Sequence, residues 1–107
     1  MYKLVLAEFP FTEGKGKKTR PVLLLTDGSY GRRKIVVVAY MTSRSGEGIE
    51  SEVEVEKTAG NGLRKKSIIK LHKITSILES AIKGELGELS KEQSIEIKDK
   101  LVRLFQL

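Results

Sequence analysis

The sequence predicts a mainly β domain, a small, partly open barrel with a C-terminal helix laid over it. Three observations lead there. The first three-quarters of the chain hold short apolar runs rich in β-branched residues, such as Ile35-Val36-Val37-Val38. Turn dipeptides, Asp27-Gly28 and Asn61-Gly62, punctuate those runs. After Ser90 the apolar period changes from that of a strand to that of a helix. A chain of 107 residues suits one domain, assigned here to 1–107, with no visible repeat or linker.

The elements follow in order. Tyr2–Phe9 is a short apolar strand that ends at Pro10, and a Gly/Lys loop separates it from a second strand over Arg20–Thr26. The third strand is Arg33–Met41. Near-continuous aliphatic runs such as Val22–Leu25 and Ile35–Tyr40 suit strands covered on both faces. Glu52-Val53-Glu54-Val55-Glu56 alternates cleanly and predicts a half-exposed strand with its acids outward. Ser67–Leu71 and Lys73–Leu78 read as two short strands with His72 between them. Ser90 followed three residues later by Gln93 is a capping-box pattern. Ile97, Leu101, Leu104 and Phe105 then share one helical face, predicted to cover the core or a second copy.

Charge is unevenly spread. The formal net charge is +6, yet residues 14–34 carry seven cations against one acid, and residues 57–73 carry six cations and no acid. Between them, Glu47–Glu56 holds five acids and no cation. Two basic segments folded onto one face would attract a polyanion; solvated surface lysines are the plainer reading. Cysteine is absent, which removes disulfides and thiolate metal sites and suits a cytoplasmic protein. No apolar run is long enough to cross a bilayer, and the N-terminal stretch lacks the features of a secretory signal, so no membrane role is expected.

Several chemistries fail on spacing. Gly16-Lys17 is followed by Lys18 and lacks the preceding glycine of a phosphate loop. A dinucleotide fingerprint would need glycine where Thr19 stands. His72 is the only histidine, so a histidine-based metal site is not expected, and no Gly-x-Ser-x-Gly elbow exists. No cofactor is expected. What remains is a cationic loop, Lys15, Lys17, Lys18 and Thr19, ending in Arg20. Pro21 biases Arg20 toward extended backbone, which holds its guanidinium at a strand mouth, where it can grip a phosphate with two parallel hydrogen bonds or pair with a neighbouring acid. Thr42, Ser43 and Arg44 end another strand; such hydroxyls either donate to a phosphate or cap a turn.

Taken in order, these motifs resemble the MazF/PemK toxin family. Phe9-Pro10-Phe11-Thr12, the Gly/Lys loop and Arg20-Pro21 are similar to its opening, and Val37–Ser43 to its strand ending in Thr-Ser. Ser67–Leu71 resembles a later strand, and Gly87-Glu88-Leu89-Ser90 the segment before the last helix. The resemblance implies a homodimeric SH3-like barrel of the plasmid-maintenance toxin type. It further implies a cytoplasmic, metal-independent endoribonuclease that cuts single-stranded RNA to 2′,3′-cyclic phosphate and 5′-hydroxyl ends, and a cognate antitoxin as partner. Arg20 matches the family's active-site arginine and Thr42 its threonine. Where some members carry an Arg-x-Asp pair, this chain has Lys70 and His72, which makes His72 the candidate base. Where others carry a loop glutamate, the matching position is Lys15, and Glu13 is the loop's acid. The expected site is therefore Arg20, Thr42 and His72 for chemistry, with Lys15, Lys17, Lys18, Thr19, Ser43, Arg44 and Lys70 binding RNA. Two alternatives stand beside it: a non-enzymatic, gyrase-directed toxin of the same fold, and a catalytically silent nucleic-acid-binding module, which the departure at the base position favours.

Overall fold

The computed structural model describes residues 1–9 and 18–107. Six strands and one helix make up the architecture: β1 (Lys3–Phe9), β2 (Lys18–Leu24), β3 (Ile35–Thr42), β4 (Glu52–Val55), β5 (Ser67–Leu78), β6 (Ile82–Glu88) and α1 (Lys91–Leu104). They form one antiparallel sheet in the order β4-β5-β3-β2-β1-β6, curled into a half-barrel. The expected mainly β fold with a C-terminal helix is the observed one.

The aliphatic runs are buried on both faces, as their composition requires. Leu4, Leu23, Ala39, Ile69 and Leu71 fill the inside of the curl. Val5, Val22, Val36, Val38 and Ile77, displaced by one residue along the same strands, form a second cluster on the opposite face. Ile97 of α1 and Leu89 just before it close the first cluster, both essentially inaccessible. Ser90 caps α1 by accepting a hydrogen bond from the Gln93 backbone N–H at 3.1 Å. The reciprocal half of the capping box is not made; the Gln93 amide donates to the Glu54 carbonyl at 3.3 Å and ties the helix to the β4 edge.

Three sequence expectations need correction. Ser67–Leu78 is one long strand, because the residues around His72 form a bulge: Ala39 pairs with Ile74 and the next residue, Tyr40, pairs with Lys70. The strand over Ile82–Glu88 has no separate signal in the sequence, since Lys83, Gly84, Glu85 and Gly87 dilute its apolar pattern. On α1, Ile97 and Leu101 pack inward while Leu104 and Phe105 are exposed, because the helix runs beyond the edge of the curl.

Candidate nucleic-acid interface

The site begins where two strands part. β2 and β3 pair from Leu24–Val38 to Val22–Tyr40 and no further. Pro21, the next residue, has no N–H with which to extend a ladder. Beyond that point β2 stays with β1 down to Lys18, and β3 stays with β5 up to Thr42. The split opens a groove of about 470 Å³. Arg20 of β2 and Thr42 at the end of β3 both line this groove.

Its floor is apolar. Leu6, Pro21 and Met41 form a row across three strands, joined by Leu63 and Leu86. Its walls are cationic and hydroxylic: Thr19 and Arg20 on one side, Thr42, Ser43 and Arg44 at the end of β3, and Arg64, Lys65 and Ser67 leading into β5. No carboxylate lines it among the described residues, and among them none of Arg20, Arg44, Arg64 and Lys65 is ion-paired.

Thr42 makes one hydrogen bond that bears on its role. Its Oγ1 accepts the Arg44 backbone N–H at 3.1 Å, so it caps the turn after β3. That bond uses one lone pair and leaves the hydroxyl proton for another acceptor. Both readings of this residue are therefore compatible.

Lys70 and His72 do not join the groove. Lys70 faces Tyr40 on one neighbouring strand and Glu52 on the other. Its ammonium lies 3.5 Å from Glu52 Oε2 and 3.7 Å from Glu47 Oε1. Glu52 is a nearly inaccessible carboxylate whose Oε1 accepts the backbone N–H groups of Glu47 and Gly48 at 2.8 and 2.9 Å. Burial pushes its pKa up, but the backbone N–H groups of Glu47, Gly48 and Ile49, aided by Lys70, outweigh that and hold it below the usual carboxylate range. His72 is exposed on the bulge, and its Nδ1 lies 2.7 Å from Ser51 Oγ. Lys70 and His72 thus meet Glu47, Ser51 and Glu52, in and just before β4, rather than the split. Lys18 is exposed at the start of β2 and is not among the groove-lining residues. Lys15, Lys17 and the loop acid Glu13 lie outside the described residues.

Arg64 and Lys65 are the groove cations that the sequence reading left out of the site. The signal was present in the acid-free segment 57–73, but not the fact that the turn after β4 directs these two toward Arg20. Among the described residues no cluster of three or more His, Cys, Asp or Glu could hold a metal ion.

The fold is thus an antiparallel half-barrel with a cationic groove at a strand split, in which no carboxylate is among the described lining residues. Comparison with known families gives the class its name. The family of "PemK-like, MazF-like toxin of type II toxin-antitoxin system" matches residues 2–105, and the chain belongs to that family. Members of it are generally endoribonucleases. Among solved structures, the Mycobacterium tuberculosis toxin MazF-mt6 is 25% identical over 98% of this chain and 97% of its own, with a TM-score of 0.75. An Mtb toxin at 22% identity, covering 94% and 98% of the two chains, superimposes with a TM-score of 0.70. An endoribonuclease from a mycobacterial species, solved in complex with its cognate antitoxin, shares the fold at 15% identity, 98% and 92% coverage and a TM-score of 0.69. No curated protein matches the sequence.

Proposed function

We propose that this toxin is an endoribonuclease that cuts single-stranded RNA in the β2–β3 groove. One observation carries the reading: Arg20 and Thr42 line the same cationic groove, which has no carboxylate among its described lining residues. In the reaction the ribose 2′-oxygen attacks the adjacent phosphorus. The bond from phosphorus to the 5′-oxygen breaks, the 2′-hydroxyl proton is lost, and the departing 5′-oxygen gains one. The products are a 2′,3′-cyclic phosphate and a 5′-hydroxyl. Charge builds on the non-bridging oxygens as the phosphorus becomes five-coordinate. Two parallel N–H donors from Arg20 and the free hydroxyl proton of Thr42 meet that charge. Arg20 acts as a fixed cation, not as an acid, because a guanidinium holds its protons too tightly. In this reading water takes the 2′-hydroxyl proton and supplies the one gained by the 5′-oxygen; no imidazole or carboxylate is among the described groove residues.

The RNA backbone is held by Thr19, Ser43 and Arg44, with the lysines of the preceding loop as further phosphate contacts. The 1–107 domain acts as a cytoplasmic homodimer, and the cognate antitoxin competes for the groove through acidic residues. The test is to incubate the purified protein with long single-stranded RNA in EDTA and to map the ends. Fragments with cyclic phosphate and 5′-hydroxyl termini are expected. A second reading, a silent RNA-binding module, is favoured by the absence of a base among the described groove residues. Salt-dependent binding with intact RNA would select it.

A further inference from the structure

Arg64 and Lys65 are carried by a turn that is built more rigidly than a surface loop requires. Asn61, at its centre, is 2% exposed. Its Oδ1 accepts the backbone N–H groups of Thr58 and Leu63 at 3.1 and 3.0 Å, and its Nδ2 donates to the Glu56 carbonyl at 2.8 Å. The Thr58 hydroxyl accepts the Asn61 N–H in return, at 3.1 Å. Gly62 has a φ of +70° and sits so close to the Leu86 carbonyl that a Cβ would overlap it. The Gly60 carbonyl accepts the Glu88 N–H at 3.0 Å, which fastens the turn to β6. Leu63 is buried in the core, and the Ser67 hydroxyl holds the Lys65 carbonyl at 3.2 Å. The next two residues after Leu63 thus leave a fixed backbone as exposed cations on the groove wall, with no ion-pair partner among the described residues.

We propose that Arg64 and Lys65 form a second, preorganised phosphate subsite, which grips the RNA backbone beside the scissile linkage while Arg20 holds the reacting phosphate. The inference rests on the RNA reading above and adds to it a defined track: from Arg20 across the apolar floor to the Asn61 turn. A floor of Leu6, Pro21, Met41, Leu63 and Leu86 offers an apolar bed for a base between two cationic rims. Lys66, the next residue, contributes nothing here. It points to the other side of β5, where Glu54 and Glu56 neutralise it at 3.3 and 3.6 Å.

The test pairs Arg64→Gln/Lys65→Gln with a control of equal charge change, Lys91→Gln/Lys98→Gln, on the exposed side of α1. Binding of a 2′-O-methylated RNA oligonucleotide is followed by anisotropy across a salt series, and cleavage of unmodified RNA is measured in parallel. Loss of two phosphate contacts lowers the slope of log affinity against log salt by about 1.4. The groove variant is expected to show that change, with its cleavage defect in KM rather than kcat, and the control is not. Equal slopes for the two variants, with the parent binding and cutting RNA, overturn the subsite and leave the nuclease standing. A parent that neither binds nor cuts RNA overturns both. Unchanged RNA binding by the groove variant, with lost binding of a poly-glutamate peptide, reassigns the turn to an acidic polypeptide and also overturns the proposal.

Discussion

Two depressions of similar size flank the end of β3, and they treat their charges in opposite ways. The β2–β3 groove, about 470 Å³, gathers Arg20, Arg44, Arg64 and Lys65 and no described acid. The hollow on the β4 side, about 500 Å³, holds Lys66 beside Glu52 and Glu54. On that side Lys66 has Glu54 and Glu56, and nearby Lys70 has Glu47 and Glu52, within ion-pair reach, while Arg44 lines both depressions. The two regions draw on the same basic segment, residues 57–73. The turn before β5 brings Arg64 and Lys65 to the groove, whereas Lys66 and Lys70 meet the carboxylates of the β4 side. A net charge of +6 therefore says little about where a polyanion binds. What matters is which cations the fold leaves uncompensated.

The largest effect that separates the two regions is expected from Arg20→Ala. It should lower kcat by about 10²–10³-fold, the scale of losing a fixed donor to a developing oxyanion. Arg20 is exposed at the strand mouth, so the thermal transition should stay where it is. A variant with normal cleavage would remove the groove from the chemistry.

Next in size is Asn61→Ala, which attacks the groove's far wall from beneath. Truncation leaves the N–H of Leu63 and the carbonyl of Glu56 without their partners. Stranded groups of this kind should lower stability by about 2–4 kcal/mol, read by denaturant unfolding. A change under about 0.5 kcal/mol would mean that the turn holds itself without this side chain.

How much of this was legible in the sequence divides along the same line. The strands with continuous aliphatic runs, the existence of β4 and the Ser90 cap were legible, because each depends on local pattern; of the β4 acids expected outward, Glu52 is instead nearly inaccessible beside Lys70. Arg20 and Thr42 were legible as residues near strand ends, and their meeting in one groove depends on the parting of β2 from β3, which sequence spacing alone does not display. Lys70 and His72 were misplaced relative to the groove for a reason the sequence hides: the bulge at His72 and the buried Glu52 direct them toward β4. Arg64 and Lys65 escaped notice because their placement depends on Asn61, whose side chain replaces backbone partners in a turn that pattern alone reads only as a reversal.

A smaller and pH-dependent effect should come from the compensated side. Glu52 has a folded pKa below the usual carboxylate range, so as acid is added the unfolded chain takes up its proton first. The stability this group contributes is present above the ordinary carboxylate pKa and is lost as pH falls through the lower folded value. Glu52→Gln keeps an acceptor oxygen for the Glu47 and Gly48 N–H groups but removes the titration. Its stability should therefore depend less on pH below about 4.5 than that of the parent, measured by denaturant unfolding across an acid series. An unchanged acid limb would show that Glu52 is not the group that sets it.

The smallest expected effect is the most discriminating for mechanism. His72 is the only imidazole in the chain and the residue that family resemblance points to as a base. Yet it is exposed on the β5 bulge, its Nδ1 meets Ser51, and it does not line the groove. His72→Ala should accordingly change kcat by no more than about twofold, the scale of a surface substitution. With water accepting the 2′-proton, log kcat in the parent should climb with pH through neutrality and show no break near the usual histidine pKa of about 6.5. A break there that vanishes in His72→Ala would bring the imidazole back into the reaction. Since His72 is not among the residues lining the groove, a second copy of the chain or a rearrangement of the β5 bulge would then have to present it.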